Sequence, residues 1–527
     1  MTKLKTPLRQ IRTENGLIEG IIGSDPRITV FRGVPYAAPP VGALRWRSPQ
    51  PLEGWSGVKK CDHFAPMAYQ AVIGEDPEAF YNKEYHPTAP EYAISEDCLY
   101  FNMYSPAVEE NEKLPIYVWF HGGGLQTGYS YEMEFDGEHM AREGVIVVSV
   151  GYRLNIFSFM AHPELSAESP DGAKGNYGLE DVIFCIRWLK RNARFFGGDP
   201  DRITLGGQSG SALGAICIGA SPMSEGLLSG IITMSGGGMR AFGYGAKCTP
   251  LHQAEQLGIE ILESLGVSSV EEARKLPADV IYSAYRNMKV DYSQWSPRID
   301  GVFLKEDVTD AQILGHHHNI PYLFGSCANE GGLLGFPPPP APETPDELRA
   351  LAEPILGEHT DEFMAEAAAH CDLSSPDEVR AFYLSDTFNP RTVGARAFAL
   401  TQAEQGRKGY CYWFNHDVPG DDAGAFHGSD LWFVFGNLDK CWRPFSGKHY
   451  DLARKVMKYW CNFIKNGDPN GTDQDGTPLP EWLPAEGKSP FVMEFGDEPH
   501  RKTAPDAPGF DLRIGVQLAE AKAALGQ

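Results

Sequence analysis

Ile203-Thr204-Leu205-Gly206-Gly207-Gln208-Ser209-Gly210-Ser211-Ala212 reads as a short apolar strand, a glycine-crowded turn and the start of a helix that continues through Ala215 and Cys217. A serine held on such a sharp strand-to-helix bend stands with its hydroxyl exposed at the top of a sheet. The pattern for this elbow is G-x-S-x-G; Gly207, Gln208, Ser209 and Gly210 fit it, and Ser211 occupies the last glycine place. Glycine suits such places because the bend needs unusual backbone angles and neighbouring segments pass close by. Ser211 is therefore expected to crowd the helix start. Taken alone the pattern is matched as readily by a Gly/Ser turn, so its meaning depends on what surrounds it.

Around the elbow, buried strands alternate with helical segments. Leu114 to Phe120 is apolar on both faces and runs directly into His121-Gly122-Gly123-Gly124; Val145 to Val150 is a second buried strand. From Asn176 to Arg194 apolar residues recur at helical spacing, and Phe196-Gly197-Gly198-Asp199-Pro200 stops that helix. Ile231 to Ser235, Pro321 to Gly325 and Tyr410 to Phe414 read as further strands, the last of them the final strong one. Alternation of this kind predicts an α/β fold, a large, mostly parallel central sheet with helices on both faces. Residues 16–60 predict a small antiparallel element, and 62–96 a long surface loop. Residues 241–320 and 344–401 read as mostly helical insertions over the site, joined by an extended Pro337–Pro340 connector. Asp451 to Asn466 and Gln517 to Leu525 predict helices. No internal repeat is visible, and residues 1–527 read as one domain.

The totals bound the function. The chain has 527 residues and a formal net charge of -24, from 46 basic and 70 acidic side chains. Nucleic acids and anionic membranes both call for a cationic surface, so neither is an expected partner. No apolar run approaches the length of a membrane span. No apolar segment follows the charged first ten residues, so the chain is expected to be cytoplasmic. Ten cysteines lack CxxC or metal-ligand spacing and are expected to be free, buried thiols. His316-His317-His318 sit in a polar turn and are expected to be exposed, with a weak metal site as the alternative.

A serine hydroxyl is a poor nucleophile at neutral pH and needs an adjacent base. Histidine suits the task, and a buried carboxylate must then hold the imidazole in one tautomer. The chain offers Ser209, then Glu330 in Asn329-Glu330-Gly331-Gly332 at a strand end, then His427 in Ala425-Phe426-His427-Gly428. That is the order in which this fold supplies the three. The His121–Gly124 loop after a buried strand supplies bare amides: Gly123 and Gly124 are the expected oxyanion donors, with the Gly210 amide as a third.

These residues lie among motifs that resemble the type-B carboxylesterase and cholinesterase-like family of the α/β-hydrolase fold. The resemblance spans nearly the whole chain. It includes Phe31 to Ala37, Leu44-Arg45-Trp46, Glu96 to Asn102, Tyr152-Arg153-Leu154, Gly175 to Leu179 and Gly467-Asp468-Pro469-Asn470, besides the segments above. It implies hydrolysis of small-molecule carboxylic esters through an acyl-enzyme, with no cofactor and no metal, and the triad Ser209, Glu330 and His427. The family's elbow usually has glutamate before the serine and Ala-Gly after it, where this chain has Gln208, Gly210 and Ser211. The family also often closes its early loop with a disulfide; Cys98 matches one partner, and Ala68 stands at the other place. Two other readings use the same residues differently. An acyltransferase or lactone-processing enzyme would pass the acyl group to another acceptor, and a non-catalytic cholinesterase-like binding protein would have lost part of the triad. Tyr129, Tyr131, Trp295 and Phe336 are candidates to line the pocket or to belong to the core.

Overall fold

The computed structural model describes residues 6–71, 76, 78–86, 93–170, 175–236, 239, 248–288, 295–330, 341–383, 390–486, 492–502 and 509–527. Among these, eleven strands form one sheet. They are β1 (Ile21–Ile22), β2 (Thr29–Pro35), β3 (Tyr100–Ser105), β4 (Leu114–Phe120), β5 (Ile146–Val150), β6 (Gly198–Gln208), β7 (Gly230–Met234), β8 (Tyr322–Cys327), β9 (Gly409–Phe414), β10 (Val492–Phe495) and β11 (Pro499–Lys502). Their order across the sheet is β11-β10-β9-β8-β7-β6-β4-β5-β3-β2-β1. The block from β10 to β5 is parallel. Antiparallel strands extend it at both edges.

The helices that matter below are α1 (Phe80–Tyr85), α2 (Tyr177–Asn192), α3 (Gly210–Ala220), α4 (Pro390–Glu404), α5 (Asp430–Phe435), α6 (Gly447–Asn466) and α7 (Phe510–Ala524). Side chains alternate across β4. Ile116, Val118 and Phe120 join an apolar cluster with Leu179, Ile183 and Ile186 of α2 and Ala215 of α3. Tyr117 and Trp119 join a second cluster with Trp432 and Phe435 of α5 and Val456, Trp460 and Phe463 of α6. A strand buried on both faces must be apolar throughout, which is why β4 reads as an unbroken run. α6 places its buried residues three and four apart and stops at Gly467, whose φ of 67° closes the last turn.

The expected strands and helices are present, and the differences have physical causes. The 62–96 stretch carries α1 and the paired short strands Met67–Ala68 and Ile94–Ser95, and α1 buries Glu84 and Tyr85 rather than lying on the surface. Two further strands follow β9, the last strong strand in the sequence. All four residues of β10 are buried, but Glu494 interrupts the apolar run that would announce it. α7 begins at Phe510 rather than Gln517.

Region 241–320 contains the helices Leu251–Leu265, Val270–Arg274, Ala278–Asn287 and Val308–Leu314, but also a two-strand pair, Thr249–Pro250 with Arg298–Ile299. Region 344–401 is helical where described, and its Leu348, Phe363 and Val379 form a third, smaller apolar cluster. Pro337–Pro340 and Phe336 lie outside the described residues. His317 is buried, not exposed; Gln402 and Arg407 both reach its Nε2, Arg407 at 2.7 Å. No described helix is long and apolar enough to cross a membrane.

Candidate active site

β4, β6, β8 and β9 all point their carboxyl ends at one edge of the sheet, where the loops of an open α/β sheet form its cleft. β6 ends at Gln208 and α3 begins at Gly210, leaving Ser209 on the bend with φ 60° and ψ −123°. A residue other than glycine in such a conformation costs on the order of 1–3 kcal/mol and needs support. The Ser209 amide donates to the Met234 carbonyl of β7 at 2.8 Å. Ser211 holds the other side: its hydroxyl donates to the Gln208 carbonyl at 2.8 Å and accepts from the Gln208 amide at 2.9 Å. The expected crowding is therefore absent. Ser211 is fully buried in space left by Gly207, whose Cβ would lie 2.6 Å from the Ser211 carbonyl oxygen.

The glycine loop packs backbone against backbone on the first turn of α3. A Cβ at Gly210 would lie 2.5 Å from the Gly124 Cα, and one at Gly123 only 2.1 Å from the Thr127 carbonyl oxygen. At this place, where the family's usual elbow carries alanine, a Cβ fits only if the Gly124 backbone shifts. Gln126 and Thr127 amides both donate to the Gly123 carbonyl, and the Tyr152 hydroxyl fixes the His121 carbonyl at 2.8 Å. Among the described residues, the amides of Gly123, Gly124 and Gly210 donate to no acceptor. Three unspent donors at the positive end of α3 favour an oxygen that gains negative charge.

The loops after β8 and β9 are zipped together. The Ala328 amide donates to the Phe414 carbonyl and the Asn329 amide to the Ala425 carbonyl, each at 2.9 Å. The Asn329 side chain adds a bond to the Ala423 carbonyl at 2.9 Å. This register sets Glu330 against His427: imidazole Nδ1 lies 2.5 Å from Glu330 Oε2. Glu330 Oε1 accepts from the Cys327 amide at 2.8 Å, and Arg391 at the start of α4 lies 3.4 Å from Oε2. Burial alone would raise the Glu330 carboxyl, but His427, Arg391 and its hydrogen bonds hold it at about 2. Burial lowers the pKa of His427, and Glu330 opposes that shift. An ionised Glu330 puts the proton of neutral His427 on Nδ1 and leaves Nε2 as an acceptor.

Nε2 faces the elbow, and there the Gln208 side-chain amide donates to it at 3.1 Å. Ser209, the next residue, is half-buried, and its hydroxyl makes no hydrogen bond among the described residues. Glu330 and His427 are thus brought together directly. Ser209 adjoins the residue that occupies Nε2.

No sequence signal marks the Gln208 contact or Arg391, a single arginine in a stretch legible only as helix. Nor did it signal Tyr81 of α1, whose hydroxyl donates to the His427 carbonyl at 3.4 Å. Tyr129 and Trp295 are buried, and the Tyr129 hydroxyl bonds His86. Ala68 and Cys98 line the same two small cavities, and the Cys98 thiol is free, its pKa pushed up by burial.

Residues 7–510 match the sequence model of the carboxylesterase family. The chain is 32% identical over 472 residues to fumonisin B1 esterase of Sphingopyxis macrogoltabida, covering 87% of this chain and 82% of that protein. It is 28% identical over 514 residues to cocaine esterase of Homo sapiens, covering 90% and 86%. Among solved structures, a carboxylesterase of Geobacillus stearothermophilus superposes with a TM-score of 0.74 at 26% identity, over 96% of this chain and all of that one.

Proposed function

The chain belongs to the carboxylesterase family, and from that premise we propose how it cleaves an ester: Ser209 is the nucleophile, His427 the general base and acid, and Glu330 the carboxylate that orients His427. As a family member with the α/β-hydrolase fold it is a carboxylic ester hydrolase. In the proposed reaction Ser209 Oγ attacks the ester carbonyl while Nε2 of His427 takes its proton. The carbonyl oxygen gains charge among the amides of Gly123, Gly124 and Gly210. His427 returns the proton to the departing alcohol, leaving an acyl group on Ser209. Water, activated by the same imidazole, releases the acid and restores the serine.

The observation that carries this reading is the 2.5 Å contact of Glu330 with Nδ1 of a histidine whose Nε2 faces the elbow. For the first step Gln208 must yield Nε2 to the Ser209 hydroxyl. Catalytic hydrogen bonds often tighten only once substrate is bound.

The test is hydrolysis of p-nitrophenyl butyrate by the wild type and by Ser209→Ala. The variant is expected to lose at least about a thousandfold in kcat, with only what the oxyanion donors and binding supply remaining. Comparable rates would sink the assignment. Fumonisin B1 and cocaine belong in the first panel of candidate substrates, because they name the activities of two relatives.

A further inference from the structure

Glu84 of α1 is 1% exposed, and four donors converge on its carboxylate. Trp432 Nε1 lies 2.9 Å away, Trp442 Nε1 2.8 Å, Arg443 Nε 3.0 Å from each oxygen, and Cys441 Sγ 3.5 Å. Arg443 is itself fully buried and also bonds Asp421 at 2.8 Å and the Pro419 carbonyl at 3.1 Å. Its guanidinium lies over the ring of Phe426, 4.9 Å from the centroid. Phe426 immediately precedes His427.

α1 touches the same loop. Phe80 meets Phe426 edge to face at 5.0 Å, and the Tyr81 hydroxyl reaches the His427 carbonyl. The Tyr85 hydroxyl stands only 2.8 Å from where a Gly428 Cβ would be. Residues 426–428 therefore touch both α1 and Arg443, and these two are joined through Glu84 and through Phe80, whose ring lies 5.9 Å from the guanidinium.

We propose that Glu84 is a positioning residue for ester hydrolysis: its carboxylate clamps α1 to Arg443 against the loop that carries His427, and so sets the imidazole against Glu330 and the elbow. The proposal rests on the triad reading above. Only an acceptor can satisfy this set of donors. A glutamine amide would turn its NH2 toward indole or guanidinium N–H groups and leave a buried arginine short of its partner. The imidazole would then shift while the strands that hold Glu330 and Ser209 stayed in place.

The experiment measures kcat, KM and the pH profile of p-nitrophenyl butyrate hydrolysis for the wild type, Glu84→Gln and the milder Trp442→Phe, which removes one of the four donors. Glu138→Gln is the control. Glu138 is buried too and accepts from the Ser24 hydroxyl at 2.6 Å, but it has no contact with residues 426–428. Glu84→Gln is expected to lower kcat about tenfold, with KM within about twofold, as suits a base moved out of line. Its acid limb should move from the wild-type position, because the burial that lowers the His427 pKa, the Glu330 contact that raises it and the Arg391 charge that lowers it all depend on where the imidazole sits. Trp442→Phe should move the same way by a smaller factor, and Glu138→Gln should change Tm alone.

Glu84→Gln and Trp442→Phe profiles that superpose on the wild type, whatever their Tm, would overturn the proposal. If Glu84→Gln does not fold, the Trp442→Phe profile decides. If Ser209→Ala also hydrolyses the ester normally, the triad reading has failed instead.

Discussion

Two parts of the molecule bear on His427 and are held in opposite ways. The acid and the elbow hang from the ends of parallel strands, β8 and β6, whose ladders fix them over several consecutive residues. α1 is six residues long, and its polar anchor to Arg443 and two indoles is one buried carboxylate, Glu84. Ladder bonds are many and individually small, so losing one is shared. A clamp on a single charge has no such reserve, because the buried guanidinium of Arg443 is then left with the less buried Asp421 as its carboxylate partner. Residues on the ladder side should therefore act on chemistry when they carry it, and those on the α1 side by displacement.

The largest contrast comes from Glu330→Gln. The amide keeps the shape but cannot hold His427 in the required tautomer, and kcat is expected to fall about 10⁴-fold. That is far beyond the effect assigned to Glu84→Gln. Equal losses in the two variants would remove the distinction between orienting the base chemically and placing it mechanically. Gly210→Ala should follow. Its methyl would press on the Gly124 backbone, 2.5 Å away, and misplace one or two donor amides. A fall of about 10²–10³ in kcat with KM little changed is expected. Wild-type kcat would show that the glycine loop yields easily and is less rigidly held than its packing implies.

Arg391→Met tests the electrostatics and should be smaller again. The guanidinium disfavours a proton on His427, so removing it raises the His427 pKa and moves the acid limb of kcat/KM to higher pH. Glu330, held at about 2, stays ionised across the assay range and adds no limb of its own. A limb that moves down, or stays put, would mean that Arg391 matters only through packing.

The legibility of the chain divides along the same line. Strand-borne features were readable because each is a short contiguous run: the elbow, the glycine loop after β4, and the glutamate just past β8. The zipper between the acid and base loops even explains Asn329, which the sequence offered only as a neighbour of Glu330. β10 escaped because Glu494 breaks its apolar run.

α1 escaped for a different reason. Its burial depends on Glu84 meeting Trp432, Trp442 and Arg443, 348 to 359 residues downstream, and no local period records such a contact. Ser211 does not crowd the helix start as its size suggests, because sequence supplies side-chain size but not the hydrogen bonds open to a hydroxyl. Here both partners are on the backbone of Gln208.

The central claim is that the acyl group passes through Ser209. It is tested most directly by mixing enzyme with p-nitrophenyl butyrate, quenching in acid within the first turnover and mapping peptides by mass spectrometry. The account predicts a burst of p-nitrophenol approaching one equivalent per chain and a butyryl group on Ser209. Butyryl on another residue, or steady hydrolysis with Ser209 never modified, would contradict it.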